Sequence, residues 1–498
     1  MQFTHLIQSF PSEDGIAVKS RPYFNHSVEF KKLFSARERA EALDQAGLNV
    51  FYFPSEMITG CDLLSDSGTT TMTNEQWAAL HMGDEAYGSN RGYFELRRSI
   101  RRTFGEEFFS DVPGLSPNAF IFHQGRSCED ALFRTLGLLG KGQIIPNNGH
   151  FDTTQSNIEA HGMQALNLFC PELQDPKSDF RFKGNMDTRR FKALLKKSAA
   201  KIPVAYLTIT NNTGGGQPVS LANIRETCEI AHSFDVPLFF DACRFAENAW
   251  FIQQYESGYR NRTIAEIVHE AFSFVDGFTI SFKKDGIVNM GGGLFFKEGG
   301  LFLKKYPQIP DAITTYQINK EGHPSYGGMS GRDIMALARG LEIAERDEYL
   351  AYRIGQVKRF GDFMLHRGLP ILTPTCGHAV YLDVNRFFAG TQMQPGDFGG
   401  ISLTALLISA YGHRGCELGA FSFGSYDPQT KSEKLPEVNF VRFAVPRLRY
   451  EDTDLESLAE ALQRLYQERE RIPGVEVTYG RELSLRHFKA RFKFQEAR

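Results

Sequence analysis

The sequence predicts an α/β fold: a large domain with a mostly parallel sheet, joined to a smaller α+β domain. Two observations carry this. Between about residues 204 and 296, short apolar runs alternate with helical spacing, the pattern of strand–helix–strand units. From about Gly331 the texture changes to long amphipathic helices with short apolar segments between them. With 498 residues, 42% hydrophobic and 23% charged, the chain has an ordinary globular balance that excludes a mainly disordered protein.

The elements follow in order. Residues 119–122, Ala-Phe-Ile-Phe, read as a strand, followed by a turn at His123-Gln-Gly-Arg126 and a helical pattern from Glu129. Residues 204–210 form the next apolar run, and Gly214–Gly216 a turn. Leu221, Ile224, Cys228 and Ala231 then recur at helical spacing. Residues 236–240 are a strand ended by Asp241, and residues 278–281 and 291–296 are two more. Ile334, Leu337, Leu341 and Ala344 mark a long helix. Leu455, Leu458, Leu462 and Leu465 mark another, with Asp452 or Thr453 as its cap. The economical division is an arm plus part of the small domain (1–72), a large domain (73–335) and a small domain (336–498).

Composition narrows the function. The 56 Lys and Arg nearly cancel the 59 Asp and Glu, so neither nucleic acid nor an anionic membrane is an expected partner. No run of about 18 apolar residues occurs, so no transmembrane helix is expected. The start, MQFTHLIQSFPSEDG, lacks a basic region followed by an apolar core, and no secretory leader is expected. Seven cysteines, an odd number without a C-x-x-C pair, read as free thiols in a reducing, cytoplasmic setting. The 43 phenylalanines predict large aromatic cores.

In open α/β sheets ligands collect at the carboxyl ends of the strands, so polar residues there carry the chemistry. Lys283 and Lys284 follow the strand ending at Ser281. Such a pair is either two solvated charges or a Schiff-base lysine beside a cation that eases its deprotonation. Asp241, at another strand end, pairs with Arg244, caps a helix, or faces a pyridinium nitrogen. Gln124-Gly-Arg126, between a strand and a helix, is a turn with the makings of a phosphate seat. Arg442, inside an apolar strand, is a buried pair or an anion receptor.

Together these segments resemble the β-eliminating lyases, the tryptophanase and tyrosine phenol-lyase family. The matching stretches include Asp62-Leu-Leu-Ser-Asp-Ser-Gly-Thr69, Met82-Gly-Asp-Glu-Ala-Tyr87, Phe151-Asp-Thr-Thr-Gln155, Phe240-Asp-Ala-Cys-Arg244, Ser281-Phe-Lys-Lys-Asp285 and Leu485-Arg-His-Phe488, in the family's order. The resemblance implies pyridoxal-phosphate fold type I, the aspartate-aminotransferase fold with a seven-stranded sheet, and a homotetramer with shared active sites. It implies pyridoxal 5′-phosphate held by Lys284. Asp241 would face the ring nitrogen, with Arg244 near the phenolic oxygen and Phe151 on the ring face. Gln124, Gly125, Arg126 and Ser281 would seat the phosphate. Arg442, Ser65, Ser67 and Asn212 would hold the substrate carboxylate. Gly68, Glu85 and Asn289 match a potassium site, and Tyr87 would protonate the leaving ring across a subunit boundary.

The implied reaction is α,β-elimination from an amino acid. His487, Leu418 and Asp152 follow tryptophanase, which implies L-tryptophan, giving indole, pyruvate and ammonia. A lyase for tyrosine, a modified tryptophan or an S-substituted cysteine is the alternative, followed by a transaminase. The departures are Ser65, Ser127-Cys128 and the bulky Phe282, which is expected to reshape the pocket.

Overall fold

A computed structural model describes residues 21–25, 27–175, 178–436 and 438–496. The chain forms two compact units, Met1–Lys31 and Lys32–Arg498. The start of the expected arm, residues 1–20, lies outside the described residues. The second unit carries every helix and strand that follows.

Seven strands make the larger sheet region. They are β1 (Ala119–Phe122), β2 (Ile144–Asn147), β3 (Gln164–Asn167), β4 (Ala205–Thr208), β5 (Leu238–Asp241), β6 (Gly277–Ser281) and β7 (Gly292–Phe296). The expected single seven-stranded sheet is divided: a five-stranded ladder in the order β1-β7-β6-β5-β4, and a parallel pair β2-β3. Side chains explain the division. The amide of Asn148 accepts from the Thr208 N–H at 2.7 Å and donates to its carbonyl at 3.0 Å, and Asn147 Nδ2 donates to Thr208 Oγ1 at 2.9 Å. Asparagine amides thus take the place of backbone rungs between β2 and β4. β4, β5 and β6 are parallel, and β7 is antiparallel to both β1 and β6.

The strands are buried on both faces, as a sheet covered by crossover helices requires. The phenylalanine content concentrates here. Phe104, Phe245, Phe272 and Phe278 pack with ring centroids 4.6–4.9 Å apart around Phe104, edge-to-face or tilted. Phe282 joins this core, fully buried against Phe295.

A second sheet is built from β8 (Ala379–Asp383), β9 (Cys416–Leu418) and β12 (Phe440–Ala444), all antiparallel, with β10 (Ser425–Asp427) and β11 (Ser432–Lys434) a separate hairpin. Helices Asp347–His366 and Asp452–Gln467 cover it through Val357, Phe360, Leu458 and Leu462. The cap of the last helix falls at Glu451, one residue before the expected position, where it forms a capping box with Asp454. Helix Ala36–Gln45 packs Leu43 with Ile401 and Ile408 in a further core that also takes Phe492 of the β13 (Val475–Tyr479) and β14 (Arg491–Phe494) hairpin. Among the described residues no helix is long and apolar enough to cross a membrane, and all seven cysteines are free.

At the end of the sheet remote from the strands' carboxyl ends, Asp276 ties three elements together. It accepts from the Leu238 and Leu301 N–H groups and holds His232 Nε2 at 2.8 Å. The carboxylate raises the imidazole from 6.5 to about 10. A raised value means the pair stabilises the fold fully below about pH 6.5 and loses that contribution as pH rises through about 10. Across that window the melting temperature of the wild type should fall more steeply than that of His232→Gln. Parallel curves would contradict the pairing.

Candidate active site

The carboxyl ends of β4, β5 and β6 open into a cavity of about 1090 Å³, counting its mouth. Its far wall comes from β9 and β12, from residues 64–67, and from His487 and Phe488.

One end is a seat for an anion. Helix Gly125–Gly137 starts there, and its N-cap residue Gln124 makes no side-chain cap bond, so the helix N-terminus faces the cavity without a side-chain acceptor of its own. Gly125 is required by space: a Cβ would stand 2.7 Å from that of Ser281. Ser281 Oγ is buried and without a partner, and Arg126 forms no ion pair among the described residues. Unused donors converging on one point are what a phosphate requires.

The floor carries Asp241 and Lys284. Asp241 Oδ1 accepts from the Cys243 thiol at 2.9 Å, and Cys243 in turn accepts from the Ser281 N–H at 3.3 Å. Asp241 does not pair with Arg244. That arginine forks onto Asp66 instead, at 2.8 and 3.1 Å. Lys283 also lines the cavity; burial, Lys284 and Arg126 lower its ammonium to about 8. Phe151 lines the cavity beside Arg442, whose guanidinium is 6.0 Å from the ring centroid. A pyridine ring carrying a phosphate therefore fits, with an anion seat at one end, a carboxylate at its floor and a lysine within the same cavity.

The second anion position is Arg442. It donates to Asn212 Oδ1 at 3.2 Å and to the Leu64 carbonyl at 3.0 Å, while its buried Nε has no partner. No carboxylate of the described residues pairs with it, so a ligand carboxylate is its natural counter-ion. Tyr381 fixes Asn212 by donating to its Oδ1 at 2.8 Å. Ser65 and Ser67 line the same edge, with Ser65 Oγ accepting from the Ser67 N–H.

The remaining wall is aromatic. Phe51, His487 and Phe488 stack within 4.1–5.9 Å, and Leu418 completes it. His487 Nε2 stands 2.8 Å from Asp152 Oδ2, an ion-pair distance without hydrogen-bond geometry. Phe282 is not part of this lining, so the expectation that it reshapes the pocket is corrected: the backbone after β6 turns its side chain into the phenylalanine core.

Two expected residues stand apart from the cavity within their own chain. Tyr87 is 73% exposed, its ring against His323 and Tyr326. Glu85 is also on the surface, paired with Arg332 at 2.8 Å. Gly68 and Asn289 do meet, through Asn289 Nδ2 donating to the Gly68 carbonyl at 3.0 Å.

The Beta-eliminating lyase family profile matches residues 62–461. The chain belongs to the β-eliminating lyase family. It is 39% identical over 472 residues to a tryptophanase of Rhodobacter capsulatus, covering 95% of this chain and 98% of that one. It is 37% identical over 475 residues to a tyrosine phenol-lyase of Symbiobacterium, with the same coverage. Its fold is similar to that of an aspartate aminotransferase double mutant from Thermus thermophilus, at a TM-score of 0.54 and 13% identity over 86% of this chain and 95% of that one. This lyase is accordingly a carbon–carbon lyase on pyridoxal-phosphate fold type I.

Sequence reasoning missed what holds the lyase site together. Arg447, wholly buried, donates to Asp66 at 2.9 Å, to Glu247 at 2.7 Å and to Asp285 at 2.8 Å. Arg353 adds a second bond to Glu247 at 3.1 Å. Asp285 also accepts from the Ala246 and Glu247 N–H groups, and burial beside Glu247 pushes its carboxyl up to about 6. Only the run of arginines at Arg447 and Arg449, next to the otherwise apolar β12, hinted at this. Removing Arg447 would leave Asp285 without a cation and Asp66 and Glu247 with one each. Arg447→Met should destabilise the fold by about 3–5 kcal/mol, read by denaturant unfolding. A loss below about 1 kcal/mol would show that the network is not a structural keystone.

Proposed function

We propose that the lyase binds pyridoxal 5′-phosphate through Lys284 and eliminates the side chain of an aromatic amino acid, L-tryptophan, to indole, pyruvate and ammonia. The observation that carries the choice of tryptophan is the Asp152–His487 pair set in an aromatic wall that the aliphatic Leu418 completes. A fused, weakly polar ring suits such a wall better than a phenol, whose oxygen asks for a cation.

The cofactor, when bound, supplies an electron sink for the pair left at the substrate α-carbon. The residues do the rest. Gln124, Gly125, Arg126 and Ser281 would hold the cofactor's phosphate, and Phe151 would lie against its ring. Arg442 takes the substrate carboxylate, helped by Asn212, Ser65 and Ser67. This would fix the α-proton toward Lys284 Nζ, which removes it once the substrate amine has displaced the lysine and left it a free amine. Asp241 would keep the proton on the ring nitrogen, and Arg244 would serve the side of the phenolic oxygen. An aryl carbanion is a poor leaving group, so the departing ring carbon must gain a proton first. Tyr87 is assigned that step from a neighbouring copy, in a homotetramer; its exposure outside its own cavity supports this. The same neighbour would bring Glu85 to Gly68 and Asn289 to complete a potassium site.

A second reading, elimination from L-tyrosine, is favoured by tyrosine phenol-lyase relatives nearly as similar as the tryptophanases. The test is pyruvate release from L-tryptophan, L-tyrosine and S-methyl-L-cysteine, with pyridoxal phosphate and potassium. Pyruvate with indole from tryptophan, and at least about tenfold less from tyrosine, is expected. The reverse order would establish the second reading, and release from the cysteine derivative alone would contradict both.

A further inference from the structure

Glu129 lies in the same cavity, outside every role assigned above. It belongs to helix Gly125–Gly137 and is buried. Its partners come from the next helix, Asp152–Ala160: the Thr154 hydroxyl stands 2.6 Å from Oε1, and Asn157 Nδ2 donates to Oε2 at 3.2 Å. No cation forms an ion pair with it among the described residues. The charged groups that act on it are Asp241 at the end of β5 and Lys284 after β6. Its remaining titratable neighbours, Cys128 on its own helix and Tyr206 on β4, are kept neutral by burial.

Glu129 and Asp241 share this cavity and repel, and burial without a cation partner among the described residues drives Glu129 toward its neutral form. The hydrogen bonds accommodate that form. The thiol of Cys243 receives the Ser281 N–H and so turns its own S–H toward Asp241 Oδ1, which makes Asp241 an acceptor. Glu129 faces a hydroxyl, which accepts as readily as it donates, across a distance suited to an acid O–H. We propose that Glu129 is a positioning residue that stays protonated, leaving Asp241 as the single anion of the cavity floor that faces the ring nitrogen. Burial and Asp241 raise Glu129 to about 7, so this proton is held below that pH and released above it.

The proposal rests on the pyridoxal-phosphate reading for what Asp241 faces, but its test does not need turnover. Infrared difference spectra between pH 5 and pH 9, on the apoprotein and the reconstituted holoenzyme, report the C=O stretch of protonated carboxyls. Glu345 and Asp285 are also raised into this range, so the quantity read is wild type minus Glu129→Gln. The amide keeps both hydrogen-bonding partners. The expected result is the loss of one acid's band, titrating near neutrality, in Glu129→Gln. In Asp241→Asn that band should survive with its midpoint moved down by about one pH unit, a tenfold change in proton affinity, because the repelling charge is gone. Superimposable spectra for wild type and Glu129→Gln, or an unmoved midpoint in Asp241→Asn, would overturn the proposal. Failure of the holoenzyme to form at Lys284, with the apoprotein bands as expected, would count against the cofactor reading alone.

Discussion

Arg447 has no exposed surface and bonds to three carboxylates from three different stretches of chain. The rest of the site is arranged around that one guanidinium. With Arg244 and Arg353 it balances Asp66, Glu247 and Asp285, three charges against three, in a place where an unpaired charge would be severely penalised. Three of the six members stand next to residues of the cavity. Asp285 follows Lys284, Asp66 lies between Ser65 and Ser67, and Arg244 follows Cys243 by one position. Holding the charges in register therefore holds the lysine, the carboxylate seat and the floor carboxylate relative to one another. Breaking one pair leaves the others uncompensated, so the arrangement resists partial loosening.

This network also separates what was legible in the sequence from what was not. The strand ends were legible, because apolar runs stop where the sheet stops, and Asp241, Ser281 and Lys284 all lie at or just beyond such stops. The turn at Gln124–Arg126 was legible from its glycine between a strand and a helix, whereas its reading as a phosphate seat came from the family resemblance. Partner choice was not. Asp241 and Arg244 are neighbours in sequence, yet Arg244 turns to Asp66, far away in the chain, because the Arg447 network fixes Asp66 within reach. The division of the sheet was hidden for a similar reason: the Asn147 and Asn148 amides compete with the backbone of Thr208, and a strand pattern does not reveal that competition. Phe282 looked like a pocket residue from its place beside the lysines, but its side chain follows the strand alternation into the core.

The cavity has two unlike ends, and this asymmetry is what suits it to elimination. One end offers neutral N–H donors and an unpaired arginine for a phosphate. The other offers Arg442 for a carboxylate, with an aromatic wall beyond it. In the proposed reaction the amino acid would have its α-carbon over the floor and its side chain against the wall. Among the described residues Tyr87 and Glu85 stand outside the cavity of their own chain, which leaves a gap on the side-chain face where the proposal needs them. A site completed by a neighbouring copy is a coherent answer to that gap.

The central claim is that Lys284, and not the adjacent Lys283, holds the cofactor. Both line the cavity and both act on Cys243; Lys284 acts on Glu129 as well, and it is the second lysine of the Ser281-Phe-Lys-Lys-Asp285 stretch. Reconstitution with pyridoxal phosphate, borohydride reduction and peptide mapping tests this directly. Covalent label on Lys284 is the predicted result; label on Lys283, or none at all, would contradict the account.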